Sequence, residues 1–320
     1  MNPDQAAWFA QTFSALVANV GRAVLGKEQA IRLVLAAMLA EGHVLIEDAP
    51  GTGKTSLAKS IAATIQGKHR RIQFTPDLLP SDVIGVSVYD QSTRTFVFHP
   101  GPVFANVLLA DEINRASPKT QSALLEVMEE SRVTIDGETH PVGPPFVVLA
   151  TQNPIEQAGT YRLPEAQLDR FLIKTSLGYP DRASTVEVLG GSAVRDRTAD
   201  LEPKITTQAF ADLAVLTASV HVDEAVLDYV ARLVEATRED TRTALGSSMR
   251  GGLALVRLAR VWAASQGRHY VLPDDIKVLA QPVLAHRLIL DTEAEFAGVR
   301  PEQIVADALA QTAPPTERAA

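Results

Sequence analysis

The sequence predicts an α/β protein: a P-loop core built on a five-stranded parallel sheet, followed by an all-α domain. Three observations lead to this class. A phosphate-binding loop follows an apolar run, further apolar runs end in acidic or amide residues, and amphipathic helical patterns replace strands after residue 180. Alternating strands and helices favour a parallel sheet, whereas the later helices have no strands between them to cover.

The phosphate-binding loop spans residues 48–55, between an apolar run at 43–46 and a helix-like segment at 56–65. Its sequence is Asp-Ala-Pro-Gly-Thr-Gly-Lys-Thr. The N–H groups of such a loop, together with the positive end of the following helix, bind phosphate oxygens. Lys54 is expected to reach the β and γ phosphates and Thr55 to ligate Mg²⁺, so ATP and Mg²⁺ are the expected cofactors. The predicted cofactor-binding residues here are Pro50, Gly51, Thr52, Gly53, Lys54, Thr55 and Ser56.

One position departs from the P-loop pattern, because Asp48 stands where the first glycine is expected. Aspartate tolerates left-handed and turn conformations better than most residues, so we expect the loop still to form. The alternative interpretation of this segment is a glycine-rich turn that happens to contain a lysine.

A second apolar run, at 107–110, ends in the acidic pair Asp111 and Glu112. Buried parallel strands have this composition, and ligands of open α/β sheets bind at the carboxyl ends of the strands. Asp111 is predicted to hold Mg²⁺, and Glu112 to orient and deprotonate the attacking water. The alternative is that the acids start a turn or cap a helix. The pair follows the loop by roughly 60 residues, which leaves room for one more strand and its crossovers.

A third apolar run, at 146–150, is followed by Thr-Gln-Asn-Pro at 151–154. Asn153 is then a polar side chain at the same sheet edge, where it could hydrogen-bond the γ-phosphate and the water. Taken alone, Asn-Pro is an ordinary turn signal. As the third member of an ordered set, Asn153 is predicted to sense the state of the nucleotide.

The remaining strand signals complete the core. Apolar or strand-like segments at 71–74 and 171–177 bring the predicted sheet to five strands. Residues 87–98 have alternating ends around a polar centre, which predicts a β-hairpin. Residues 132–140 predict a second hairpin, because Asp136 and Gly137 form the strongest short hairpin signal.

After residue 180 the strand signals stop, and apolar residues recur at helical spacing in 206–220, 223–237, 248–265 and 273–285. We therefore expect five consecutive parts. They are an N-terminal helical segment at 1–20, an α/β nucleotide-binding core at 21–180, a linker at 181–205, a helical lid at 206–311 and a flexible tail at 312–320.

Composition limits the classes of function. The chain has 320 residues, a formal net charge of −8 and no cysteine, so disulfides, thiolate catalysis and cysteine zinc sites are excluded. The acidic balance argues against a general nucleic-acid binder. The first residues lack the pattern of a signal peptide, and the most apolar helix, at 31–40, is too short to cross a bilayer. A cytoplasmic protein without membrane insertion is expected.

Longer motifs give the sequence a specific resemblance. They are Ile-Gln-Phe-Thr-Pro-Asp-Leu-Leu-Pro-Ser-Asp at 72–82, Gly-Pro-Val-Phe-Ala-Asn at 101–106, Leu-Ala-Asp-Glu-Ile-Asn-Arg-Ala at 109–116, Ala-Thr-Gln-Asn-Pro at 150–154 and Leu-Pro-Glu-Ala-Gln-Leu-Asp-Arg-Phe at 163–171. Together they resemble the MoxR family of AAA+ ATPases over residues 25–276. The resemblance implies an AAA+ core with two inserted hairpins near a central pore and a C-terminal lid.

The resemblance also implies roles for single residues. Val24 and Leu25 match the family's adenine-contacting turn, although an apolar pair closing a helix onto the core is an equal alternative. Arg170 aligns with an arginine finger, and Arg250 with a second sensor, where relatives often have proline at the preceding Met249. No role is carried onto Arg162. The predicted catalytic set is therefore Glu112, Lys54, Asn153, Arg170 and Arg250.

The implied activity is Mg²⁺-dependent ATP hydrolysis by a homo-oligomeric, typically hexameric, ring. Members of this family commonly act as chaperones with proteins that carry a von Willebrand factor A domain, and they assemble or activate other complexes. No nucleic-acid partner is expected. Two alternatives stay open: a DNA- or RNA-translocating motor and a non-catalytic, nucleotide-gated scaffold.

Overall fold

The computed structural model describes residues 1–153, 161, 163–191 and 197–315. The strands are β1 (Val44–Glu47), β2 (His69–Gln73), β3 (Gly85–Asp90), β4 (Thr95–Pro100), β5 (Val107–Asp111), β6 (Arg132–Ile135), β7 (Glu138–Pro141), β8 (Val147–Gln152), β9 (Ile173–Thr175), β10 (Thr243–Leu245) and β11 (Ile289–Leu290). The helices are α1 (Pro3–Gly21), α2 (Glu28–Leu39), α3 (Lys54–Thr64), α4 (Pro80–Ile84), α5 (Pro118–Glu130), α6 (Glu165–Leu168), α7 (Arg182–Gly191), α8 (Thr207–Thr217), α9 (Glu224–Glu239), α10 (Met249–Ser265), α11 (Pro273–Leu284), α12 (Thr292–Phe296) and α13 (Pro301–Gln311). Among the described helices, none has both the length and the apolar character needed to cross a membrane.

The chain forms two compact units. The sheet unit comprises Ala15–Arg170 and Thr175–Ala211, and the helical unit comprises Met1–Ser14, Phe171–Lys174 and Asp212–Ala320. Each unit combines segments that are far apart in sequence, whereas the sequence-based prediction divides the chain into five consecutive parts.

The five-stranded parallel sheet predicted from the sequence is confirmed, with the strand order β2-β5-β8-β1-β9. Its apolar runs are buried as expected, and every residue of β5 is buried. From β1 the chain moves to β2 at the far edge and returns through β5 to β8, beside β1. Because parallel strands end at the same edge of a sheet, the residues that follow β1, β5 and β8 are brought to one side.

Both predicted hairpins are present. Strands β3 and β4 pair antiparallel with Val88 opposite Val97, and β6 and β7 pair with Thr134 opposite Thr139. The turn of the second hairpin has Asp136 at φ 52° and its glycine neighbour at φ 82°. Positive φ at both central positions is the conformation that matches the twist of paired strands, which is why Asp-Gly predicts it.

The helical unit contains the amphipathic helices that the sequence predicts, and one feature that it does not. Helices α9, α10 and α11 lie within one or two residues of the predicted bounds. The expectation that strands stop after residue 180 is corrected by the short antiparallel ribbon of β10 and β11, which pairs Thr243 with Leu290. Two strands of two or three residues carry too short an alternation to be recognised from the sequence.

Salt bridges fasten the helical unit. Arg268 forms two hydrogen bonds of 2.7 and 2.6 Å with the buried carboxylate of Asp275, and these bonds raise the pKa of the arginine. Arg242 bridges Asp240, just after α9, and Asp307 in α13. The hydrogen bond from Arg242 holds the pKa of Asp240 below its usual value.

The segment expected to be a linker, 181–205, contains helix α7 and a 3₁₀ turn at Arg197–Asp200. The helix starts where the carboxylate of Asp181 accepts a 2.7 Å hydrogen bond from the N–H of Ser184, an N-cap signal that its turn-rich surroundings obscure in the sequence. Part of the predicted linker, 192–196, and part of the predicted tail, 316–320, lie outside the described residues.

Candidate nucleotide-binding site

The loop between β1 and α3 has the backbone that a phosphate cradle needs. Gly51 and Gly53 adopt φ values of +83° and +98°, a region that favours glycine. Helix α3 begins at Lys54, and the N–H groups of a helix's first turn have no acceptor within the helix. These groups and the helix dipole make this end of α3 suited to anion binding.

The side chain of Lys54 folds back over this loop. Its Nζ atom donates hydrogen bonds of 3.1 Å to the Asp48 carbonyl and 3.0 Å to the Ala49 carbonyl. The hydroxyl of Thr52 donates to the same Ala49 carbonyl at 3.4 Å. The ammonium group therefore lies at the loop itself, where a phosphate oxygen can replace the carbonyl acceptors as a stronger, charged partner.

Asp48 keeps the loop in place for a reason other than the expected one. Its backbone is not among the positive-φ residues, so a tolerance of left-handed conformations is not what it supplies. Asp48 is only 7% exposed, and its carboxylate accepts hydrogen bonds from the N–H groups of Leu177 at 2.5 Å and Gly178 at 3.0 Å. The aspartate thus ties the start of the loop to the chain that leaves β9.

Replacing Asp48 with glycine restores the usual P-loop residue, yet it should destabilise this protein. The two N–H donors of Leu177 and Gly178 would lose their acceptor, and an unsatisfied buried donor costs about 1–3 kcal/mol. We expect a lower free energy of unfolding in urea and weaker nucleotide binding. Asp90→Gly, in the β3–β4 hairpin, is the control for glycine's backbone entropy, because the hydrogen bonds that its carboxylate accepts from Ser92 lie in solvent-exposed surroundings and cost little to lose. An Asp48→Gly protein as stable as that control would contradict the tether.

The acidic pair at the end of β5 is organised by one hydroxyl group. Thr151, in β8 and 1% exposed, donates a 2.6 Å hydrogen bond to Oδ1 of Asp111. The same hydroxyl accepts a 2.8 Å hydrogen bond from the N–H of Glu112. Thr151 therefore fixes both predicted acids relative to the neighbouring strand. This role of Thr151 is not evident from the sequence, where its one signal is its place two positions before Asn153.

Glu112 has an unusual backbone, with φ 56° and ψ 51°. A residue with a side chain rarely adopts this left-handed conformation, and such outliers cluster at functional sites. Its Oε2 atom accepts hydrogen bonds of 2.8 Å from Gln73 Nε2 and 2.8 Å from Arg115 NH1. The Glu112 carboxylate is thereby held by one donor from β2 and one from the 3₁₀ turn at Ile113–Arg115, which follows Glu112.

Strand β2 supplies one further contact to the acids, through Arg71. Gln73 lies directly opposite Asp111 in the register of β2 and β5. Arg71, two residues earlier, donates to Oδ2 of Asp111 at 2.5 Å and to Oε1 of Gln73 at 2.9 Å. Side chains two residues apart in a strand lie on the same face. The spacing of Arg71 and Gln73 therefore indicates from the sequence that they are neighbours, but it does not identify the acids that they contact.

The donor set fits a magnesium ion held together with a nucleotide. The hydroxyl of Thr55 and the carboxylate of Asp111 are hard oxygen ligands of the kind that Mg²⁺ prefers. Within the described residues, no group of three or more His, Cys, Asp or Glu side chains could hold a metal ion by itself. Mg²⁺ usually binds through one or two protein oxygens and the substrate phosphates, which agrees with such a site.

The remaining predicted residues of the sheet unit are placed as follows. Asn153 directly follows β8, two residues after Thr151. Val24 is buried and Leu25 half-buried, in a turn closed by Gly26 at φ +68°. A Cβ atom on Gly26 would lie 2.5 Å from Oγ of Ser184, so this turn packs tightly against the start of α7.

The two predicted arginines lie in different units. Arg170, in the sheet unit, forms a 3.1 Å salt bridge with Glu129 near the end of α5. Arg250 is the second residue of α10 in the helical unit, and its N–H donates to Oγ of the N-cap residue Ser248. The helix thus starts without the proline that relatives often have. Arg162 lies outside the described residues, and the roles of Arg170 and Arg250 stay predictions.

Comparison with known families defines the class. Residues 43–173 match the model of the ATPase family associated with various cellular activities (AAA). Residues 235–308 match the model of the AAA lid domain. These matches cover the sheet with its loop and acidic pair, and most of the helical unit. The protein is therefore of the AAA class of ATPases.

Relatives narrow the class to a family. The chain is 42% identical to the chaperone MoxR1 of Mycobacterium tuberculosis, over 92% of this chain and 80% of that protein. It is 32% identical to the protein MoxR of Paracoccus denitrificans, over 90% and 91%. A crystal structure of a protein from Cytophaga hutchinsonii superposes with a TM-score of 0.89 at 38% identity, and the match covers 98% of both chains. The chain belongs to the MoxR family of AAA+ ATPases.

Proposed function

We propose that this protein is a Mg²⁺-dependent ATP hydrolase whose turnover drives the assembly or activation of partner protein complexes. The main support for ATP hydrolysis is the position of the Thr151 hydroxyl. It donates to Oδ1 of Asp111 at 2.6 Å and accepts from the N–H of Glu112 at 2.8 Å, and its strand, β8, pairs with β1, which precedes the P-loop. A nucleotide-gated scaffold needs a phosphate-binding loop but no general base. It would therefore not need Glu112 in a strained backbone conformation that positions its carboxylate for a water molecule.

Each residue of the site has a separate task in this proposal. The loop N–H groups and Lys54 bind the β and γ phosphates, and Thr55 and Asp111 hold the metal. Bound Mg²⁺ neutralises charge on the phosphate oxygens. Glu112 orients the attacking water and accepts its proton, and Asn153 hydrogen-bonds the γ-phosphate. The donors Gln73 and Arg115 set the direction of the Glu112 carboxylate before the water arrives.

We further propose a ring of identical subunits. Arg170 acts as an arginine finger on the nucleotide of a neighbour, which requires a heterologous interface, and such an interface forms a ring when the rotation between subunits closes. A six-membered ring is the state proposed. Family membership and the name of the chaperone MoxR1 support a chaperone role, with proteins that carry a von Willebrand factor A domain as the proposed partner class.

The first hairpin supports a protein client over a nucleic acid. Tyr89 and Phe96 stand across from each other with ring centroids 5.3 Å apart, and they are 50% and 72% exposed. Val86 and Val88 on the same strand are 42% and 48% exposed. The two hairpins together contain two arginines and three acids, at 85–100 and 132–141, which is not the basic row that phosphate backbones attract.

The test is steady-state ATP hydrolysis by the purified full chain, with and without Mg²⁺ and with and without DNA. We expect multiple turnovers that need the metal and do not respond to DNA. Absence of turnover would leave the scaffold as the better interpretation. Stimulation by DNA that disappears as the salt concentration rises would instead favour the nucleic-acid motor.

A further inference from the structure

The predicted metal ligand already has a cationic partner. The guanidinium of Arg71 donates to Oδ2 of Asp111 at 2.5 Å, while Thr151 donates to Oδ1. Both carboxylate oxygens are therefore engaged by donors from this chain. The Asp111 side chain is 13% exposed, and the Arg71 side chain is 46% exposed.

These two partners differ in how easily they can leave. Thr151 is buried in β8, and its hydroxyl also accepts a hydrogen bond from the N–H of Glu112. It therefore cannot leave Asp111 without breaking a second hydrogen bond. Arg71 lies on β2, an edge strand of the sheet, and nearly half of its side-chain surface is exposed. A guanidinium that is nearly half exposed regains hydration when it rotates away, which offsets part of the contact that it gives up.

A second acceptor is ready for the arginine. The same NH2 group that contacts Asp111 donates to Oε1 of Gln73 at 2.9 Å. If Arg71 gives up the carboxylate, this contact keeps one of its hydrogen bonds. The amide of Gln73 meanwhile donates to Glu112 at 2.8 Å, so the arginine sits at the head of a chain of contacts that includes both acids.

We propose that Arg71 is a displaceable counter-ion that competes with Mg²⁺ for Oδ2 of Asp111. The inference rests on the proposed function, because it takes Asp111 as a metal ligand. The arginine neutralises the carboxylate while no metal is held, and it withdraws to Gln73 when the metal binds. Arg71 is a positioning residue in this scheme, and its presence lowers the affinity of the site for the metal.

The test measures metal affinity directly, by titrating Mn²⁺ into the ADP-bound full-length protein and recording free Mn²⁺ by electron paramagnetic resonance. Arg71→Gln removes the competing cation and should strengthen Mn²⁺ binding by about 10-fold, since a unit charge next to a divalent ion is repelled at short range. Arg71→Lys keeps the positive charge, so its Mn²⁺ affinity should lie between those of the wild type and Arg71→Gln.

Arg70→Gln is the matched control, because it removes the same charge from an exposed neighbour whose side chain points to the other face of β2. Its affinity should change by less than about 2-fold, and that small change should vanish at higher ionic strength. Equal affinities for the wild type, Arg71→Gln and Arg70→Gln would overturn the inference and leave the proposed function standing. Failure of the wild type to bind Mn²⁺ with ADP would overturn both.

Discussion

Glu112→Gln is expected to lower steady-state ATP turnover by at least about 100-fold while nucleotide binding persists, because a positioned general base contributes about 10²–10⁴-fold to the rate. The amide keeps an oxygen that can accept from Gln73 and Arg115, and the backbone bond to Thr151 is untouched. What it loses is the ability to take a proton from water. The measurements are steady-state hydrolysis and equilibrium binding of a fluorescent ATP analogue.

The control for this substitution is Glu126→Gln on α5, where the glutamate is exposed and lies outside the predicted site. It should hydrolyse ATP at the wild-type rate. Undiminished turnover by Glu112→Gln would rule out this residue as the base. Loss of both turnover and nucleotide binding would show instead that the acid supports the fold of the site.

The Glu112→Gln protein should also be a tool for finding clients. A ring that binds ATP without hydrolysing it stays in one nucleotide state, so a client released by hydrolysis remains attached. Affinity capture with this variant and with Lys54→Ala, which is expected to bind nucleotide poorly, separates clients of the ATP state from proteins that bind regardless of nucleotide.

Much of the sheet could be predicted because burial on both faces gives a strand a continuous apolar composition. The run that becomes β5 is an example, since all five of its residues are buried. Polar residues directly after such runs lie at the sheet edge by geometry alone, which is how Asp111 and Asn153 could be singled out. The second hairpin could be predicted equally well, because its turn requires positive φ at two positions and Asp136 and Gly137 tolerate that conformation.

The contacts that hold the acids could not be predicted, because they run between strands. Strand β2 is weakly apolar, with Ile72 as its one buried residue, so nothing in its composition marks Arg71 or Gln73 as more than solvated side chains. Their partners follow only from the register that sets Gln73 opposite Asp111. A shift by one residue would turn both side chains to the other face.

Asp48 illustrates the same limit over a longer distance. The sequence shows that a glycine is replaced, and conformational tolerance is the local reason available. The actual partners are N–H groups 129 and 130 residues further along the chain. Such a contact depends on where β9 ends relative to β1, which is a property of the whole sheet and not of the loop.

Arg170→Ala is expected to lower turnover by about 1,000-fold or more, the range in which arginine fingers act. The fold should be little affected, because the salt bridge with Glu129 is partly exposed and such pairs contribute less than about 1 kcal/mol. Arg32→Ala is the matched control. Its 3.0 Å pair with Glu28 is also a partly exposed salt bridge, so its loss should cost as little stability and leave turnover unchanged.

The trans assignment of Arg170 is tested by mixing two inactive proteins, Arg170→Ala and Lys54→Ala. In a mixed ring, an Arg170→Ala subunit has an intact nucleotide loop and can receive the arginine of a Lys54→Ala neighbour. Random equal mixing makes about one site in four complete, because a heterologous interface has one donor side and one acceptor side. Turnover should therefore return to about a quarter of the wild-type value. Mixed rings that co-assemble by size-exclusion chromatography yet stay inactive would contradict a finger acting on the neighbouring subunit.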